Sequence, residues 1–107
     1  MKRVASTIQL SKENYEEYKK LHSEVWPEVL QMIKECNIQN YSIYYSNGQL
    51  FSYFEYTGTD YQKDMEKMAQ DSATQKWWEI CKPLQTPYET RKSEEWWLEM
   101  EELFYLK

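Results

Sequence analysis

Two segments rich in aromatic and β-branched residues are separated only by the dipeptide Asn47-Gly48. They read NYSIYYS at 40–46 and QLFSYFEY at 49–56. Asn-Gly between such segments is the strongest short signal for a β-hairpin, because a type I′ turn needs positive φ at both central residues. The two-residue loop also fixes the strand register, and the predicted facing pairs are Tyr45–Leu50, Ile43–Ser52 and Tyr41–Phe54.

The predicted hairpin carries large apolar side chains on both faces, because successive side chains point to opposite sides of a strand. One face would hold Tyr41, Ile43, Tyr45, Leu50 and Phe54, and the other Tyr44, Phe51 and Tyr53. A sheet that is apolar on both faces needs two covers, and the helices of a 107-residue chain cover only one. We therefore predict a homodimer in which a second subunit supplies the other cover.

The remaining segments place the hairpin inside a β-α-β-β-α-β order. Alternation over 3–10 predicts a first strand, and apolar residues three and four apart predict a helix from Ser11 to Cys36. Further elements are predicted as helices over 60–70 and from 72 to Pro83, a loop over 84–95 and a last strand over 96–107. This order predicts an α+β, ferredoxin-like fold in a single domain spanning residues 1–107.

Charge and cysteine content argue against several classes of protein. A formal net charge of −5 without a Lys/Arg cluster argues against nucleic acid as a partner. No segment is long enough to span a membrane, and the first ten residues alternate instead of forming a signal peptide's apolar core, so we expect a cytoplasmic location. Cys36 and Cys81 are predicted to be buried thiols. No metal site is expected, because the chain has one histidine and no C-x-x-C motif.

His22 is the only histidine, and it lies on the apolar stripe of the first predicted helix, four residues after Tyr18. Pro27 has no N–H to bond the Ser23 carbonyl, so the helix is predicted to kink or break beside the histidine. Such a break frees carbonyl groups and opens space next to the imidazole. Two interpretations follow: a histidine hydrogen-bonded within the core, or an acid–base catalyst with a pKa near neutrality.

The pair Trp77-Trp78 is a second candidate feature, because adjacent helical residues point about 100° apart and cannot both face one core. One tryptophan would then line a cleft or an interface. Sugar rings present apolar C–H faces that pack on aromatic planes, and their hydroxyls need a few well-placed polar groups. Core packing plus a dimer contact also explains the pair, so the residues by themselves indicate only an aromatic-lined pocket with one histidine.

Four segments of the chain resemble the L-rhamnose mutarotase family in order and spacing. They read YEEYKKLHSEVWPE, NYSIYY, QKWWEICKP and EEWWLEMEELFYLK, and the resemblance covers essentially the whole chain. Its most specific parts are H-x-x-x-W-P at 22–27, N-Y-x-I-Y at 40–44, the double tryptophan at 77–78 and E-x-F-Y-L at 102–106. The resemblance implies a dimeric α+β barrel of ferredoxin-like subunits.

The resemblance also implies an activity, the interconversion of the α and β anomers of L-rhamnopyranose without a cofactor, with His22 as the catalytic proton donor. The sugar contacts that it implies are Tyr18, Tyr41, Trp77 and Trp78. Ring opening removes a proton from the anomeric hydroxyl and adds one to the ring oxygen, and a histidine can act in both directions. The segment 85–93 (QTPYETRKS) departs from the family pattern, which leaves the sugar preference open.

Three other functions stay open for a barrel of this size. The first is a cofactor-free monooxygenase or a haem-degrading protein with His22 as the iron ligand. The second is a sugar-binding or stress-type barrel that keeps the pocket but has no turnover. The third is a mutarotase for another L-sugar or 6-deoxy sugar, because an apolar contact at C6 discriminates between L-rhamnose and L-mannose by only about 1–3 kcal/mol.

Overall fold

The computed structural model describes all residues from Met1 to Lys107 and confirms the predicted α+β class. The strands are β1 (Lys2–Leu10), β2 (Ile38–Ser46), β3 (Gln49–Tyr56), β4 (Gln85–Thr86) and β5 (Leu98–Met100). The helices are α1 (Lys12–Ser23), α2 (Pro27–Glu35), α3 (Tyr61–Gln70) and α4 (Ser72–Cys81), followed by a 3₁₀ turn at Lys82–Leu84. None of the helices has both the length and the apolar character that crossing a bilayer requires.

All strand pairs of the sheet are antiparallel, and the strand order is β2-β3-β1-β4, with β5 also paired to β1. β4 pairs near the end of β1 and β5 near its middle, so these two short strands share one edge of β1. The prediction of one strand over 96–107 is therefore wrong in extent, because only Leu98–Met100 pairs. Met100 lies opposite Ala5 and β1 begins at Lys2, so a longer antiparallel strand soon runs out of partner backbone.

The hairpin is confirmed at the predicted position. Its turn residues Asn47 and Gly48 have φ angles of 48° and 79°, the positive values that this turn requires. The predicted pairs found in the ladder are Tyr45–Leu50 and Ile43–Ser52.

A β-bulge interrupts β2 farther from the turn. The register shifts between Gln39 and Ser42, so Asn40 and Tyr41 together lie opposite the single residue Phe54. Asn40 has a φ of 49°, a left-handed conformation that asparagine tolerates better than most residues. The predicted Tyr41–Phe54 pair is therefore present as a contact between the rings, whose centroids lie 5.4 Å apart, and not as a regular ladder pair.

The first predicted helix is broken in two, as Pro27 predicts. α1 ends at Ser23, and Pro27 lies in the first turn of α2, where its missing N–H leaves no helical hydrogen bond unmade. Trp26, just before the proline, has an extended ψ of 135°, which is the conformation preferred there. The chain thus changes direction a few residues after His22.

The helices cover one face of the sheet and leave the other open. The core on the covered face comprises Ile8, Leu10, Tyr18, Val29, Leu50, Trp77 and Cys81. Both cysteines are buried, as the helical stripes predict. On the open face Tyr44 is 62% exposed, and Phe51, Tyr53 and Leu98 are only half-buried. The second apolar face predicted from the sequence is therefore present and lacks a cover within one subunit.

Candidate active site

A cavity of about 450 Å³ lies between the sheet and the helices. Sites for small ligands typically enclose roughly 300–1,000 Å³, so this cavity has room for a small ligand. The residues singled out from the sequence all line it: His22, Tyr18, Tyr41, Trp77 and Trp78. They lie on α1, β2 and α4, so the tertiary fold brings together side chains that are far apart in the chain.

His22 lies in the last turn of α1, against two aromatic rings. The imidazole stacks on Tyr18 with the centroids 4.1 Å apart, and Trp77 makes a T-shaped contact with it at 5.2 Å. Its Nδ1 lies 2.9 Å from the backbone carbonyl oxygen of Tyr18. Because a carbonyl oxygen only accepts hydrogen bonds, Nδ1 carries a hydrogen, and Nε2 of the neutral ring is an acceptor.

The Nε2 atom of His22 is accessible. It makes no hydrogen bond within the protein, and no buried side-chain nitrogen or oxygen of the chain lacks a partner, so Nε2 must have accessible surface. Burial lowers the pKa of His22 below its ordinary value of 6.5, and the hydrogen bond to the Tyr18 carbonyl opposes this with a smaller effect. The neutral imidazole therefore predominates at pH 7, and its Nε2 can accept a proton.

The adjacent tryptophans have different surroundings, as their spacing on a helix predicts. Trp77 is buried and also contacts Trp26, with the ring centroids 5.3 Å apart in a T-shaped arrangement. Trp78 is half-buried, and the Lys82 ammonium lies 5.1 Å from the centre of its ring. Both tryptophans line the cavity, so Trp77 belongs to the core and to the cavity wall at once.

Tyr41 reaches the cavity from the β-bulge, beside Ile43 and Phe54. Desolvation by the neighbouring protein raises the pKa of Tyr41 to about 12, although the residue as a whole is 42% exposed. Tyr41 is therefore protonated at neutral pH. It can donate a hydrogen bond to a ligand but cannot act as a base.

Two residues outside the predicted site, Gln85 and Trp96, complete the polar wall of the cavity. Gln85 Nε2 donates a hydrogen bond to the Tyr18 hydroxyl oxygen over 3.0 Å, and Trp96 Nε1 donates to Gln85 Oε1 over 2.7 Å. Gln85 lies on β4 opposite Leu10, at the start of the segment predicted as a loop. No helical or strand spacing links positions 18, 85 and 96, so no signal in the sequence predicts this chain of hydrogen bonds.

Charged side chains also contribute to the lining, namely Lys82, Glu94, Glu95 and Glu99. No group of three or more His, Cys, Asp or Glu side chains lies close enough together to hold a metal ion. The cavity therefore offers the His22 imidazole and several carboxylates as groups that can exchange protons, together with aromatic faces and tyrosine hydroxyls. This set suits a ligand that has apolar ring faces and several hydroxyl groups.

Comparison with solved structures places the fold in a class of small α+β proteins built on one antiparallel sheet. The crystal structure of L-rhamnose mutarotase FA22100 from Formosa agariphila matches with a TM-score of 0.79 and 24% identity, covering 100% of both chains. Tetracenomycin F2 cyclase from Streptomyces glaucescens, a type-II polyketide cyclase, matches with a TM-score of 0.76 and 12% identity. That match covers 100% of this chain and 98% of the cyclase.

Sequence comparison identifies the family, within this class of fold, to which the chain is similar. The model of the L-rhamnose mutarotase family matches residues 3–106. The L-rhamnose mutarotase of Oceanobacillus iheyensis is 36% identical over 86 residues, which cover 78% of this chain and 80% of that protein. The L-rhamnose mutarotase of Listeria monocytogenes serotype 4b is 33% identical over 106 residues and 99% of each chain. The chain belongs to the L-rhamnose mutarotase family.

Proposed function

We propose that the protein is a cofactor-independent isomerase that interconverts the α and β anomers of L-rhamnopyranose. The observation that carries the proposal is the accessible Nε2 of a neutral His22 in an aromatic-walled cavity. Anomer exchange needs a group that takes up a proton and returns it near neutral pH, which an imidazole does. Membership of the family supports L-rhamnose as the sugar.

In the proposed mechanism His22 carries one proton between two oxygens of the sugar. Nε2 takes the proton from the anomeric hydroxyl O1, the C1=O1 double bond forms, and the C1–O5 bond breaks with its electron pair on O5. The imidazolium then protonates O5, which is within reach because O1 and O5 are bonded to the same carbon in the ring. Rotation about C1–C2 and the reverse steps close the ring on its other face. His22 thus first accepts a proton from O1 and then donates it to O5, and the second step is the proton-donor role that the family resemblance implies.

The other predicted residues are assigned to holding the sugar. Trp77 and Trp78 present aromatic surface to the C–H faces of the ring. Burial raises the pKa values of Tyr18 and Tyr41, so both hydroxyls keep their hydrogens at neutral pH. Each can therefore donate a hydrogen bond to a sugar oxygen without competing with His22 for the proton.

We also propose that two ferredoxin-like subunits pair through their open sheet faces as a dimeric α+β barrel. The support is the uncovered apolar surface on that face, formed by Tyr44, Phe51, Tyr53, Leu98 and Met100. Arg3 on the same face donates two hydrogen bonds to Glu102, and its guanidinium carbon lies 3.5 Å from the ring centre of Tyr105. These contacts hold the C-terminal residues beside the open face. Leu103, Phe104 and Leu106 beside them are 80–88% exposed. Continuous apolar surface of this kind is typical of a protein–protein interface.

We also propose that the protein is located in the cytoplasm. Cys36 and Cys81 are free, buried thiols, which fits a reducing compartment. Fractionation of the host cells tests this location, because the protein should be released together with a cytoplasmic marker enzyme and not with a secreted one.

Proton NMR saturation transfer between the two anomeric signals of L-rhamnose at equilibrium tests the activity. The exchange rate should rise in proportion to the concentration of added protein. L-mannose, which carries a hydroxyl at C6 where L-rhamnose has a hydrogen, is the matched control sugar. A folded protein that leaves the L-rhamnose exchange rate unchanged refutes the proposed activity, whereas equal acceleration with both sugars refutes only the preference for L-rhamnose.

A further inference from the structure

The hydroxyl group of Tyr18 is held by hydrogen bonds that begin far from α1. Trp96 donates to the Gln85 side chain, and Gln85 donates to Tyr18. Gln85 is 9% exposed and Tyr18 is 5% exposed, so water competes little for either bond. All three side chains line the cavity that contains His22.

The chemistry of these groups sets the direction of both hydrogen bonds. An indole nitrogen only donates, so the end of the Gln85 amide that faces Trp96 is its oxygen. The amide nitrogen must then face Tyr18, and it too only donates. The Tyr18 hydroxyl oxygen is therefore an acceptor in this contact.

The hydroxyl hydrogen of Tyr18 is consequently left without a partner in the protein. The Tyr18 hydroxyl makes no other hydrogen bond, and the side chain borders the cavity. Burial raises the pKa of Tyr18 above its ordinary 10.0, and the hydrogen bond from Gln85 lowers it by less. The hydrogen is thus retained at neutral pH and is available to a ligand.

We propose that Gln85, itself held by Trp96, is a positioning residue that turns the Tyr18 hydroxyl hydrogen into the cavity, where it donates to a sugar oxygen. The inference rests on the proposed anomer exchange and names residues that act through Tyr18. A free phenol rotates between donor and acceptor orientations when a sugar binds. Because the Gln85 amide already donates to the Tyr18 oxygen, the Tyr18 hydrogen points into the cavity before the sugar binds. Less free energy is therefore spent on orienting the hydroxyl when the sugar binds.

Two substitutions test this role, each made in the natural chain and in a Tyr18→Phe background. Gln85→Met keeps the length of the side chain and removes both hydrogen bonds. Trp96→Phe keeps an aromatic ring and removes only the donor that holds the amide, so the amide is free to flip. In the natural chain Gln85→Met should lower kcat/KM for L-rhamnose by about threefold to tenfold, the worth of one neutral hydrogen bond. Trp96→Phe should lower it by a smaller factor.

The Tyr18→Phe background separates positioning from general structural damage. Once the hydroxyl is absent, neither substitution should change kcat/KM by more than about twofold, because nothing remains to be oriented. A larger loss in this background, or no loss in the natural chain, overturns the proposal. If Gln85→Met fails to fold, Trp96→Phe carries the same comparison.

A measurement without substrate distinguishes failure of this inference from failure of the proposed function. A natural chain that does not exchange L-rhamnose anomers contradicts the function. The hydrogen bonds are then tested by the indole N–H resonance of Trp96 in proton–nitrogen NMR spectra. Gln85→Met should move this resonance upfield and speed its exchange with solvent. An unchanged resonance overturns the proposal, because Gln85 would then not be held by Trp96.

Discussion

Replacing His22 with asparagine separates proton transfer by the imidazole from its part in packing. The asparagine amide reaches approximately the position of Nδ1, so the hydrogen bond to the Tyr18 carbonyl, 2.9 Å long in the structure, can be kept. No atom then replaces Nε2, and an amide does not titrate near neutrality. We expect a folded protein that binds L-rhamnose but exchanges its anomers slowly.

The size of each effect follows from the contacts of His22. A positioned acid–base group contributes roughly 10²–10⁴-fold to the rate, which corresponds to about 2.7–5.5 kcal/mol of activation free energy. The imidazole also loses its contacts with Tyr18 at 4.1 Å and Trp77 at 5.2 Å. Contacts between rings are worth about 0.5–1.5 kcal/mol each, so the free energy of unfolding should fall by about 1–3 kcal/mol. For a domain of this size that lowers Tm by about 4–13 °C.

Saturation-transfer NMR at 20 °C or below measures the rate on folded protein, and calorimetry measures sugar binding. His22→Gln is the matched control, because its amide reaches the region of Nε2 and still cannot carry a proton. Both variants should be slower than the natural protein by at least about 100-fold. If His22→Asn binds the sugar and still exchanges its anomers within tenfold of the natural rate, His22 is not the proton carrier.

Three further predictions concern pH, the β-bulge and the open face of the sheet. The midpoint of the acid limb of the pH–rate profile should lie below pH 6.5, because burial lowers the pKa of His22 and only the neutral ring accepts a proton. A midpoint at or above pH 6.5 contradicts this. Asn40→Ala should lower the free energy of unfolding by about 1–2 kcal/mol more than Asn40→Gly, because glycine adopts a φ of 49° without strain. Both variants lose the hydrogen bond to Glu55, so the difference between them reports the backbone strain alone. Urea unfolding measures this difference, and coincident unfolding curves would show that the bulge is unstrained. Tyr44→Lys should raise the dissociation constant of the proposed dimer by about tenfold to 100-fold, because the open sheet face loses an aromatic side chain that the dimer would bury. Light scattering over a dilution series measures the dissociation constant. An unchanged value places Tyr44 outside the interface.

Features that depend on a few neighbouring residues were predictable from the sequence. The hairpin turn follows from Asn47-Gly48, because few other dipeptides accept two positive φ angles. The division of the first helix follows from Pro27, because proline lacks the N–H that an unbroken helix needs. The open apolar face also follows from alternation along the strands, because side-chain direction in a strand is a local property.

The β-bulge was not predictable, because it moves a side chain by changing the count of residues in one strand. Simple alternation would place Gln39, not Ile38, on the same face as Tyr41. The bulge at Asn40 reverses this, so Ile38 pairs with Tyr56 and is buried while Tyr41 lines the cavity. Only pairing with β3 shows where the extra residue lies.

The sequence by itself determined the residue types of the site: one histidine on an apolar helical stripe, paired tryptophans and several tyrosines. The tertiary structure decided what those residues can do. The contact of His22 with Trp77 and the hydrogen bonds from Trp96 through Gln85 to Tyr18 join elements far apart in the chain. Periodicity reports the face on which a side chain lies within its own helix or strand. Which side chains of two different elements meet depends on how those elements pack, and packing therefore lowered the pKa of His22 and set the direction of the Tyr18 hydroxyl.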